Sequence, residues 1–187
     1  PWVSLDAARA YAAWAGKRLP PEDEWMYAAD GPNRNAGPWG ASDDPTRRNG
    51  AENDGSGPDG NGYPLGGTSP VMRYDGTGGY GDGRSPFGLY DMCGNVWELI
   101  EGERHDNTTH FNVLKGGSWY EVKIEEPISR WNWYGDGGAQ RVGFATKYLM
   151  VWPGLDRSEA IGFRCAADLH DPFVTDEPDD AIVEVGD

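Results

Sequence analysis

The chain has 187 residues, with 16 Lys and Arg against 31 Asp and Glu for a formal charge of -15, and its 37% hydrophobic content suffices for one modest core. A field of that sign repels phosphate and no basic patch interrupts it, which excludes nucleic acid as a partner. Nine Trp and nine Tyr exclude a disordered chain, while 28 Gly and 14 Pro predict structure that is irregular but packed.

Helical signals come first. Ser4 caps a predicted helix over Leu5–Ala15, in which Leu5, Ala8, Tyr11, Ala12 and Ala15 recur at three- and four-residue steps and Gly16 supplies the stop. A second helix is predicted from Pro21, with Glu22, Asp23 and Glu24 at its positive end and Trp25, Met26, Ala28 and Ala29 on its apolar face, closing by Asp30-Gly31.

From Gly31 to Gly88 the pattern breaks down, and 16 of the 28 glycines fall there. Mobility is one reading of so long a loop; a loop folded around Trp39, Tyr63, Leu65, Val71, Met72, Tyr74 and Tyr80 is the favoured one. Strand-like pieces follow at Gly88–Met92, Val96–Leu99, Phe111–Lys115, Arg141–Ala145 and Ile161–Ala166. This order predicts an α+β fold with two early helices, small twisted antiparallel sheets and extensive irregular loops. Residues 1–168 form the expected domain, and residues 169–187 an acidic tail with seven carboxylates from Asp171 to Asp187. No apolar run reaches the roughly 18 residues of a membrane helix. The opening Pro1-Trp2-Val3-Ser4 lacks an initiator Met and a signal peptide and reads as a processed or excised chain. Cys93 and Cys165 form one disulfide or remain two thiols, and both readings stay open.

The chemistry-bearing patterns are sparse. Only His105, His110 and His170 are present, without HExxH or CxxC, so a histidine metal centre is weakly supported and His105 and His110 read as surface or structural residues of a polar loop. Ser118 lacks the GxSxG setting of a nucleophile, and the glycine runs lack phosphate-loop spacing. The Asn, Asp and Glu clusters suit calcium better, since that ion takes hard oxygens. Asn95 and Glu98, with intervening carbonyls, either wrap one ion or form a hydrogen-bonded turn. Trp119, Tyr120, Arg130, Trp131, Asn132, Trp133 and Tyr134 are the candidate binding surface for a glycan, peptide or protein, with core packing as the alternative for part of the set.

Five blocks in order then become informative together: Val3–Tyr11, Gly16–Trp25, Gly88–Glu98, Leu114–Trp119 and Gly162–Ala166. They resemble the formylglycine-generating enzyme family, also called sulfatase-modifying-factor domains. The resemblance implies a variant of the C-type-lectin-like topology, loop-rich and often calcium-bearing. It also implies that Asn95 and Glu98 match family calcium positions, with Val96 contributing its carbonyl. Family members that generate formylglycine carry a copper-binding cysteine pair shortly after the block matched by Gly116-Gly117-Ser118, whereas residues 119–141 contain no cysteine. Cys165 matches a family cysteine outside that pair. Ergothioneine-synthase relatives take their histidine iron site largely from an additional helical domain that this sequence does not contain.

A strand-rich section normally precedes the first helix in that family, so another chain or an N-terminal fragment is expected to complete the domain. The resulting expectation is a noncatalytic, calcium-stabilised ligand-binding or complex-assembly subunit, periplasmic or extracellular. The alternative is a subunit of a metal-dependent oxidoreductase whose metal ligands or substrate come partly from another chain.

Overall fold

The computed structural model describes residues 1–33, 35, 37–41, 44–50, 67–119, 146–150 and 157–168, with 146–150 described by backbone alone. Helix α1 runs Leu5–Trp14, and the Ser4 hydroxyl accepts from the Ala7 N–H at 3.3 Å as predicted. Helix α2 runs Glu22–Asp30 with its three acids in the first turn, and the Gly31 N–H closes it on the Tyr27 carbonyl at 2.9 Å.

Four strands follow: β1 Trp97–His105, β2 His110–Lys115, β3 Thr146–Met150 and β4 Ile161–Phe163. They form one sheet in the order β3-β2-β1-β4. The β1–β2 and β2–β3 pairs are antiparallel, but β4 lies parallel to β1, so the sheet is mixed rather than antiparallel throughout. The predicted piece at Gly88–Met92 contains bends instead of a strand, because Gly88 and Asp91 both take positive φ, a backbone state a strand does not accommodate. The predicted strand Arg141–Ala145 lies outside the described residues.

Alternation along β1 decides what each helix covers. Trp97 and Leu99 join Leu114 and Ile161 against Leu5, Ala8 and Ala12 of α1. Ile100 joins Val113 and Met92 against Trp25 and Ala29 of α2. The two apolar clusters thus lie on opposite faces of the sheet, one helix to each.

The glycine-rich region is packed where it is described. Tyr74 and Tyr80 are buried in edge-to-face contact at 5.3 Å, as their role as anchors predicts. Gly83 donates to the Tyr74 carbonyl at 2.8 Å, and a Cβ there would lie 2.2 Å from the Arg47 carbonyl, so only glycine allows this approach. Val71 and Met72, also expected as anchors, are instead exposed, while Tyr63 and Leu65 lie outside the described residues. Both cysteines are free thiols, which resolves the open disulfide question. Among the described residues, no helix is long and apolar enough to cross a membrane.

Candidate functional site

Strand β1 carries one polar constellation at each end. At its start, Glu98 is buried on the α2 face. Its Oε2 accepts from Trp25 Nε1 at 2.7 Å and from Arg164 Nε at 2.5 Å, and its Oε1 accepts from Arg164 Nη2 at 2.6 Å. Arg164 also donates to the Tyr90 carbonyl at 3.1 Å, which ties the segment before β1 to the one after β4.

Asn95, next to this pair, takes φ 64 and is buried. Its Oδ1 accepts from the Ser69 N–H at 3.0 Å and its Nδ2 donates to the Ser69 carbonyl at 3.2 Å. Its backbone joins the Asn49 carbonyl at 2.7 Å and the Trp119 N–H at 3.1 Å. Asn95 therefore fastens three separate segments. The preceding Gly94 is obligatory, since a Cβ there would approach the Asn49 carbonyl to 2.6 Å. Both side chains expected to hold calcium are thus engaged by protein donors, the geometry of the hydrogen-bonded alternative, and Val96 is half-buried between them in sequence.

Sequence reasoning missed Asp91. Its Oδ2 is buried without a hydrogen-bond partner. Burial pushes its carboxyl up to about 6; the Met72 N–H and the Arg164 charge oppose that shift, and the Glu98 charge adds to it. An ionised acid so placed lacks a counter-charge of its own, and a hard cation is the group that supplies one. The signal was present, since Asp91 lies seven residues before Glu98 in the same motif block, but an extended reading of Gly88–Met92 hid it.

The far end of β1 holds the second constellation. Past a register irregularity between Leu99 and Glu103, Arg9 of α1 bonds both Glu101 and Glu103, which puts them on the α1 side, and the β1–β2 register sets His105 opposite His110. The four-residue connection is fixed by Asp106, whose Oδ1 accepts from the N–H groups of Thr108 at 2.8 Å and Thr109 at 2.6 Å. The imidazoles stack at 3.9 Å. Glu103 Oε2 is bonded to His110 Nε2 and lies 3.9 Å from His105 Nε2. These three residues offer donor atoms all within 4.8 Å of one another, enough to coordinate a metal ion. Arg9 Nη1 holds the other Glu103 oxygen at 2.8 Å, and this guanidinium foremost, with His110, draws the carboxyl below its ordinary range against the opposing effect of burial. The expectation that His105 and His110 are mere loop residues is corrected: they belong to strands, and pairing brings them together.

Of the predicted binding surface, Trp119 is buried, and Tyr120, Arg130, Trp131, Asn132, Trp133 and Tyr134 lie outside the described residues. His170 does too.

Residues 2–169 match the model of the sulfatase-modifying factor enzyme 1-like domain. The chain belongs to that family. It is 35% identical over 168 residues to the inactive C-alpha-formylglycine-generating enzyme 2 of Bos taurus, covering 88% of this chain and 48% of the relative. It is 44% identical over 104 residues to the formylglycine-generating enzyme of Mycobacterium tuberculosis, covering 54% of this chain and 32% of that protein. The solved structure of Treponema denticola variable protein 1 is similar to it with a TM-score of 0.50 and 25% identity, over 80% of this chain and 47% of the other. The chain spans about half the length of the inactive-enzyme relatives it matches.

Proposed function

We propose that the chain is part of a metal-dependent oxidoreductase whose remaining metal ligands or substrate come from another chain. The Glu103, His105 and His110 cluster carries this reading. Two imidazoles and one carboxylate suit iron, copper or zinc rather than calcium, and three protein ligands leave coordination positions open for substrate or oxygen. His105 is 62% exposed, so a partner surface is what would shield the ion from bulk water. The absence of cysteine from residues 119–141 argues against the copper-thiolate route to formylglycine. Elemental analysis after anaerobic loading tests the proposal. One redox metal per chain, lost in the H105A/H110A double variant, is expected; calcium as the sole bound metal overturns it.

Asp91 favours a second reading, in which the domain performs no chemistry and serves as a calcium-stabilised ligand-binding or assembly unit outside the cytoplasm. The unpartnered Asp91 oxygen supports a cation beside Glu98, with the Val96 carbonyl and Asn95 in the same turn. The word "inactive" in the name of a relative aligned over most of this chain points the same way. The residues at 120 and 130–134 would then form the binding surface, with the buried Trp119 beneath it as core, on a domain of residues 1–168 followed by the tail. Chelation that leaves thermal stability unchanged, with no bound cation found, excludes this reading.

A further inference from the structure

We infer that Arg9 of α1 is the positioning residue of the hairpin metal site, holding the Glu103 carboxylate in its ligating orientation; the inference rests on reading Glu103, His105 and His110 as that site.

The two oxygens of Glu103 have separate tasks. Oε2 faces both imidazole Nε2 atoms, whereas Oε1 accepts from Arg9 Nη1 at 2.8 Å. A metal ion takes Oε2 and leaves the Arg9 bond intact. Arg9 is itself pinned, because its Nε donates to Glu101 Oε2 at 3.0 Å and its Nη2 to Glu101 Oε1. A guanidinium fixed at both edges holds a long carboxylate side chain in one rotamer, and such outer contacts set the orientation and affinity of metal ligands. The charge of Arg9 does not close the site to cations. Asp6 lies 4.0 Å from its Nη1, so Asp6, Glu101 and Glu103 surround one guanidinium and leave an excess of two negative charges that a divalent ion neutralises.

Co(II) titration of the full chain, followed by the visible absorption of the bound ion, tests this. Arg9→Ala is expected to weaken binding by about 10- to 100-fold, and Arg9→Lys, which keeps charge and reach but loses the fork, to fall between. Ala12→Gly loosens the same helix away from the cluster and is expected to leave Co(II) affinity unchanged, which separates positioning from general destabilisation. Arg9→Ala binding within twofold of the parent, or equal losses in Arg9→Ala and Ala12→Gly, overturns the inference alone. A parent chain that takes up no Co(II) overturns the metal-site reading and the inference with it.

Discussion

The two ends of β1 carry the same kind of residue to opposite effect. Glu98 and Glu103 sit on one strand, but the Glu98 side chain is 7% exposed and tied to a facing Arg164 and Trp25, whereas the Glu103 side chain is 25% exposed between Arg9 and two histidines. Burial fixes the difference. In the interior a carboxylate must be matched donor for donor, and its network becomes part of what holds the fold together. Near the surface water screens the acid, so it can exchange partners, and metal ligation becomes accessible to it. A fold can therefore keep one end of a strand for structure and the other for exchangeable chemistry.

Breaking the buried end has the largest expected effect. Arg164→Met leaves Glu98 buried and short of two donors, and should lower unfolding free energy by about 3–5 kcal/mol. His110→Ala at the exposed end should change it by less than about 0.5 kcal/mol. Urea denaturation measures both, and similar losses would erase the contrast.

Asp91 provides the next test, because it is half-buried and its enclosed Oδ2 has no hydrogen-bond partner, whereas Glu98 is buried and matched by donors on both oxygens. If calcium binds there, saturation at about 100 times the dissociation constant should stabilise the parent by about 2.7 kcal/mol. Asp91→Asn should abolish that gain. In chelator the variant should be at least as stable as the parent, since the amide removes a buried charge. Thermal melts with and without calcium decide this, and a calcium response that persists in Asp91→Asn assigns the ion elsewhere.

How much of this was legible in the sequence follows from the range of each interaction. Ser4 and the spacing of Leu5, Ala8 and Ala12 act within one helix, so α1 could be read directly. The sequence suggested β1 only for Val96–Leu99, because Glu101 to His105 are polar and their pairing with β2 depends on register rather than hydropathy. His105 and His110 therefore looked like loop residues, although five positions apart in a hairpin places them directly opposite. The Arg164–Glu98 pair bridges 66 residues, and no local pattern shows such a contact. Asn95 was conspicuous within its motif, but its partner Ser69 belongs to the glycine-rich region, where the chain carries no periodic signal.

Glu103→Gln separates the two tasks of the exposed carboxylate. The amide keeps an oxygen for Arg9 but loses the charge that both Arg9 and a metal ion use. Stability should fall by about 0.5 kcal/mol or less, the scale of an exposed ion pair, while Co(II) binding falls by at least about tenfold. A loss of several kcal/mol in urea denaturation would make this end as structural as the other.

The smallest effect concerns Glu22, which lies between the two extremes. Its side chain is 38% exposed, yet it bonds the buried Lys115 Nζ at 2.7 Å and Arg104 Nη2 at 2.8 Å. The Lys115 hydrogen bond draws its carboxyl below the ordinary value, burial opposes this, and Arg104 adds to it. A depressed acid contributes stability that is fully present above its unfolded value, about 4.3, and is lost as pH falls through the lower folded value. The urea midpoint of the parent should therefore drop more between pH 6 and pH 3 than that of Glu22→Gln, which cannot titrate there. Solvent screening keeps the difference small. Parallel pH profiles for the two proteins would place Glu22 with the exchangeable surface acids, whereas a large gap would place it beside Glu98.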